Sequence, residues 1–428
     1  MADQHIEAPD NLDFESYINN YKGMSNLKEA RHTRINRALF IAQCCTSLEI
    51  EAYKFALNEI KDTTKDVKRY KACLESLNVA LQKRNQEPIE PDNEWMTSTR
   101  KANKATLDQL ESELKSYKNS LVKESIRVTQ TSLGDFYFAC GDMTNALKSY
   151  IRTRDYCATS QHVLEMCFNM IKANLEESNF SHVQTYIARA ESTPNLPDKP
   201  ATMARLKCCQ ALAVLEGNDP KKFQTVANAL TQITFDGQTG EVLSANDVAI
   251  YGGLCALASF DRRQLQELMT NNHAFKSYLE LEPQIREMIS AFCQSKYAAS
   301  LELLESFRND LMLDMYLYSH VDTLIHQIRE KAMVQYCVPY SSVDMHRMAA
   351  AFNMSVEHLE NDLVSLISED NGRITARIDS NQKILCTKRR ELRHQVFKQS
   401  LAAGDNYEKS AKALMLRLNL LKADMVVR

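Results

Sequence analysis

The chain has 428 residues, too many for one compact core, so two or three domains or an extended repeat array are expected. Only 10 residues are Gly and 9 are Pro, about 2% each against a typical 7% and 5%, so a mostly helical chain is predicted. A net charge of −3 with 25% charged residues excludes the global basic excess of a nucleic-acid binder.

The first residues, MADQHIEAPDNLDFESY, are polar and acidic, unlike a secretory signal or a basic transit peptide. Amphipathic helices are expected from about 26 to 85. In RINRALFIAQCC, for example, Ile35, Leu39 and Ala42 recur at helical spacing. The Pro-bearing stretch Asn85–Trp95 reads as a loop. A long charged helix is predicted over Thr99–Val128, with Leu107, Leu110, Leu114, Tyr117 and Leu121 along one side.

In SLGDFYFACGDMTNALKSY, Leu133, Gly134 and Tyr137 fall at L-G-x-x-Y, and Ala146 and Tyr150 at A-x-x-x-[FY], which is tetratricopeptide spacing. Gly134 and Ala146 are small where two helices would cross closely, and Tyr137 and Tyr150 would fill the gap. Weaker echoes place Phe180, Val183 and Ile187, then Phe223 and Ala227, at related positions. Residues of about 125–330 are therefore expected to form a curved α-solenoid of degenerate helical hairpins, with loops at Ser192–Thr202 and Thr234–Asp247. The longest nearly apolar run, Ala249–Phe260, is too short to span a bilayer.

From Tyr340 to Thr387 the order is helix, turn, helix and two short strands, as in a winged helix. Ser341 and Asp344 read as a capping box. Met345, Met348 and Phe352 give the first helix its buried stripe. Ser355 caps the second, whose stripe is Val356, Leu359, Leu363, Leu366 and Ile367. GRITARIDSNQKILC alternates about a turn and reads as a hairpin. A duplex-reading helix normally carries Lys, Arg, Asn or Gln; Ser355–Ser368 has no Lys or Arg but has Glu357, Glu360 and Asp362. DNA readout is not expected. A short wing leaves an open strand edge suited to pairing with another chain.

The one basic cluster, TKRRELRHQVFK (Thr387–Lys398), includes Lys388, Arg389, Arg390 and Arg393. It reads either as a contact for an acidic partner or as a solvated helix start. In the tail, Tyr407, Ala411, Leu414, Leu418, Leu421 and Met425 are spaced 4-3-4-3-4, an apolar seam. This seam either folds back on the winged helix or joins helices of other chains; the second is preferred. No P-loop, nucleophile elbow, dinucleotide fingerprint or H-E-x-x-H motif occurs, and the ten histidines are dispersed. The twelve cysteines lack C-x-x-C pairs and read as reduced, buried thiols. Neither catalysis, metal nor cofactor is expected.

A solenoid followed by a winged helix is the layout of the PCI module, shared by the proteasome lid, the COP9 signalosome and translation initiation factor 3. QYCVPYSSVDMHRMAAAF, LENDLVSLI and ITARIDSNQKIL resemble that family's winged helix. KSYIRTRDYC, DVAIYGGLCALASFDR, FKSYLELEPQIREMI, LDMYLYSHV and YKGMSNLKEARHTRINRALFIAQCCTSLEIEAYKFAL resemble most closely the family of signalosome first subunits. The proteasome-lid paralogue is the nearest alternative. The fold expected is mostly α: a TPR-like solenoid (125–335, its PCI module beginning near 216) after an N-terminal helical region (1–124), a winged-helix subdomain (336–388) with a small antiparallel hairpin, and a C-terminal helical tail (389–428). The resemblance implies a non-catalytic scaffold, found in cytoplasm and nucleus, of an assembly that removes the ubiquitin-like modifier Nedd8 from cullins. It implies partner subunits at the wing edge (Arg373, Ile374, Arg377, Ile378, Ile384, Leu385) and a helix bundle holding Tyr407 to Met425. The N-terminal solenoid would be free to touch cullin-RING ligases. Neither a membrane nor nucleic acid is implied as a partner.

Overall fold

A computed structural model describes residues 30–194, 199–217, 219–233, 243–368, 374–387, 392–423 and 425. The chain divides into two compact units, Met1–Lys331 and Ala332–Arg428.

In the larger unit helices follow one another with short connections, most of them packing chiefly on a neighbour in sequence. They are α1 (Ala30–Cys44), α2 (Glu49–Thr63), α3 (Val67–Lys83), α4 (Asn93–Ser120), α5 (Lys123–Ala139), α6 (Met143–Thr153), α7 (Ser160–Glu176) and α8 (Phe180–Glu191). Then come α9 (Lys199–Leu215), α10 (Lys222–Thr231), α11 (Ala245–Ser259), α12 (Arg262–Thr270), α13 (His273–Leu279), α14 (Pro283–Cys293), α15 (Tyr297–Met312) and α16 (Val321–Cys337), within which the two units divide. Many starts carry the polar cap their sequence supplies: Asp66, Asp92, Asp142, Thr159 and Ser244 each accept from a backbone N–H of the first turn.

One predicted helix differs. The expected Thr99–Val128 helix is two helices, because α4 stops at Ser120 and Leu121 adopts a left-handed conformation with φ of 56°. The Ser120 hydroxyl bonds back to the Ser116 and Tyr117 carbonyls, competing with the helical ladder. Leu121 is consequently exposed rather than aligned with Leu107, Leu110 and Leu114. The Asn85 loop ends earlier than expected, at the Asp92 cap. Its Ile89 is clasped by Asn78, whose side chain both donates to the Ile89 carbonyl and accepts from its N–H.

The repeat spacing marks the crossing of α5 and α6. A Cβ added to Gly134 would lie 2.4 Å from Tyr150 Cε1. Tyr150 is 2% exposed, and its hydroxyl donates to Asp135 at 2.7 Å. Ala146 is fully buried beside it in a core continued by Met170, Val183 and Ile187 from α7 and α8. Phe223 and Ala227 are likewise buried on α10.

Helix α1 does more than pair with α2. His32 meets Phe138 of α5 edge-on at 4.7 Å. Asn36 donates to Glu176 at the end of α7. Phe40 meets Tyr318 at 5.6 Å. Between them Arg37, only 1% exposed, donates to Asp247 at 2.8 Å and to Asp314 at 2.9 Å. Tyr251 donates its hydroxyl to Asp314 at 2.7 Å. One helix thus ties together segments made early and late in the chain.

Lys331 of α16 donates to the Leu257 carbonyl at 2.6 Å, and its ammonium lies over the Phe292 ring. Burial, outweighing the pull of Asp261, lowers its pKa from 10.5 to about 8. From pH 8 to 10.5 the unfolded chain therefore holds a proton that the folded chain has released, and stability gains with pH across that window. The stability advantage of Lys331→Met over wild type should shrink as pH rises from 8 to 10.5. Parallel urea-denaturation midpoints across the window would refute this.

The smaller unit contains β1 (Ser342–Asp344), α17 (Met345–Phe352), α18 (Val356–Ser368), β2 (Ala376–Asp379), β3 (Ile384–Thr387) and α19 (Leu392–Lys422). The sheet has three antiparallel strands in the order β1-β3-β2, where a two-stranded hairpin was expected. The Ser341–Asp344 capping box does not form: Asp344 alone caps α17, accepting from His346 N, while Ser342 and Val343 pair with Cys386 and Leu385. Val343, Leu385 and Ile378 stand side by side across the three strands. Below them lie Met345, Met348, Phe352, Leu359, Leu363 and Leu366, all buried. Ser355 accepts from His358 N, capping α18 as expected.

Candidate assembly surfaces

The sheet fixes which wing residues an incoming chain could reach. β3 is central, with both its edges paired, so Ile384 and Leu385 are not edge residues. Leu385 and Ile374 are buried core residues, and Ile378 and Ile384 are half-buried. The outer strands are β1 and β2, and on β2 Arg377 is exposed. The sequence missed β1, and so took β3 for an edge. Arg373 lies outside the described residues.

The acidic helix α18 is bound to the wing. Glu360 accepts from Lys383 Nζ and from the Ser380 hydroxyl, each at 2.6 Å. These bonds hold its carboxyl below the usual carboxylate range. Asp379 accepts from the N–H groups of Asn381 and Gln382, shaping the turn. The helix therefore offers anionic groups where a duplex reader needs cations, and one of them locks the hairpin in place.

Helix α19 runs for 31 residues. On it Tyr407, Leu414, Leu418 and Leu421 are between 50% and 78% exposed, and Ala411 is half-buried. Met425 is exposed but lies beyond the helix end: its N–H bonds to the Leu420 carbonyl, which turns the chain off the helical path. The seam as spaced from sequence therefore stops at Leu421. Nearer the start of the helix Val396, Phe397 and Leu401 are exposed as well. A row of large apolar side chains in water is unfavourable. Of the basic cluster, Arg393 is exposed at the start of α19; Lys388, Arg389 and Arg390 lie outside the described residues.

Nucleophilic chemistry finds little support in the described thiols. Burial pushes Cys73, Cys209 and Cys255 up to about 12, and Cys140, Cys167 and Cys337 up to about 11. All twelve cysteines are unpaired. Among the described residues no His, Cys, Asp and Glu cluster is placed to hold a metal ion, and no helix is long and apolar enough to cross a membrane. A cavity of about 460 Å³ lies among α1, α5, α7 and α9. No local pattern announces it, because its lining comes from helices far apart in the chain. Within it Glu176 accepts from Asn36 and Arg69, and Arg205 lies over the Phe168 ring at 4.3 Å, while the buried Nδ1 of His32 has no hydrogen-bond partner among the described residues.

A family model described as 26S proteasome subunit RPN7 matches residues 92–268, and one described as PCI domain matches residues 304–389. The chain is 38% identical to COP9 signalosome complex subunit 1b of Drosophila melanogaster, over 99% of this chain and 87% of the relative. It is 39% identical to COP9 signalosome complex subunit 1 of Arabidopsis thaliana, over 97% and 91%. To 26S proteasome non-ATPase regulatory subunit 6 of Dictyostelium discoideum it is 21% identical, over 86% and 93%.

Proposed function

The chain belongs to the family of COP9 signalosome subunit 1, and from that premise we propose that it is a non-catalytic scaffold subunit of a signalosome. The family resemblance associates that assembly with removal of Nedd8 from cullins. The observation that carries the reading is the bare apolar row of α19, which suits a bundle of helices from several subunits. The β2 edge offers a second joint, by strand pairing with another winged helix. The larger unit is left to meet cullin-RING ligases. Work in the cytoplasm and nucleus suits twelve unpaired cysteines, which reducing compartments preserve.

Affinity purification of the tagged chain from native extract, with mass spectrometry, tests this. The wild type should bring down the other signalosome subunits. Leu418→Asp should reduce that recovery roughly tenfold or more, because a carboxylate would enter a buried seam. Its circular dichroism should match wild type, since Leu418 is exposed in the isolated chain. Recovery of proteasome-lid subunits instead would favour the paralogous reading.

A further inference from the structure

A second cleft, of about 310 Å³, opens between α4 and α6 with α5 as its floor. Its walls are basic. Lys115 and Lys118 line it from α4, and Lys148 and Arg152 from α6. All four are exposed, and none forms an ion pair among the described residues. The lining holds one carboxylate, Glu111, against them. Four cations held around one concavity raise the local positive potential, in a chain whose net charge is −3.

The arrangement also carries a length. Lys115 and Lys118 are three residues apart on one helix, a rise of about 4.5 Å, and Lys148 and Arg152 are four apart, a rise of about 6 Å. In an extended peptide, side chains two residues apart are separated by roughly 6.6 Å and point the same way, while the residues between point oppositely. A strand laid along the cleft would thus send alternate side chains to the two cationic walls. The half-buried Tyr137 on the floor gives such a strand an apolar surface to cover. Three of the four cations are lysines, which act as separate point charges and suit carboxylates spread along a chain.

We infer that the cleft between α4 and α6 is a docking site for an extended, carboxylate-rich segment of a partner protein. It is independent of the surfaces assigned to assembly: its residues are on the larger unit, not the winged helix or α19.

The test is fluorescence anisotropy of the full chain with a fluorescein-labelled peptide of about six consecutive glutamates. Binding should saturate and weaken with added salt. The double variant Lys115→Glu, Arg152→Glu should raise Kd roughly tenfold or more while its melting temperature stays at the wild-type value. Arg393→Glu, which alters the separate basic cluster, should bind as wild type. The inference fails if the full chain does not bind, if the double variant binds as wild type, or if Arg393→Glu abolishes binding. It fails equally if inorganic phosphate displaces the peptide better than chloride at equal ionic strength, since the cleft would then be a small-anion pocket.

Discussion

Replacing Arg37 with alanine should destabilise the larger unit by about 3–5 kcal/mol, a large share of the roughly 5–15 kcal/mol a typical domain has. The reason is what stays behind. Asp247 and Asp314 are buried, and Arg37 is the cation bonded to both. Other bonds would survive: Asp247 accepts from Ser244 N, and Asp314 from the Tyr251 hydroxyl and the N–H groups of Tyr316 and Leu317. Those bonds orient the carboxylates but do not neutralise them. Arg37→Lys should fall between, because one ammonium cannot span both acids as the guanidinium fork does. Combining Arg37→Met with Asp247→Asn and Asp314→Asn should recover much of the loss, since the penalty comes from unpaired charge. Urea unfolding of the four proteins decides the matter. An Arg37→Ala midpoint equal to wild type would mean the cluster fastens nothing.

The second large effect is expected at Gly134. Any side chain there meets the Tyr150 ring, which is itself held by Asp135. Gly134→Leu should cost roughly 1–3 kcal/mol or more, because overpacking forces side chains off their rotamers and backbones apart. Gly134→Ala, although it improves helix propensity, should also destabilise, because its added Cβ would sit 2.4 Å from the ring. Pairing Gly134→Ala with Tyr150→Leu should cost less than the sum of the two changes, as expected of groups in direct contact. Additive melting shifts would place the strain elsewhere.

How much of this could be read from the chain depends on the distance between cause and partner. The α5–α6 crossing was legible because Gly134, Ala146 and Tyr150 lie within one hairpin and their spacing carries the geometry. The apolar row of α19 was legible for the same reason, except that its ends are set by local bonds: Met425 turns away through the Leu420 carbonyl. Strand β1 was hidden because Ser341–Asp344 also satisfies a capping pattern, and a three-residue strand is defined by its partner alone. That single miss moved Leu385 from core to edge. Arg37 was the least legible of all. An arginine in an amphipathic helix reads as solvated, and its acids lie 210 and 277 residues onward. The cationic cleft was hidden similarly, since no window of sequence contains both its walls.

The long reach of Arg37 bears on how the polypeptide is born. At about 5–20 residues per second, a ribosome that has just made Arg37 needs roughly 15–55 seconds to deliver the last of its acids. For that interval α1 can already pair with α2, but its guanidinium waits without the last of its acids. A nascent chain stalled before Asp314 would leave this clasp open, and so be the form on which chaperones and proteases act.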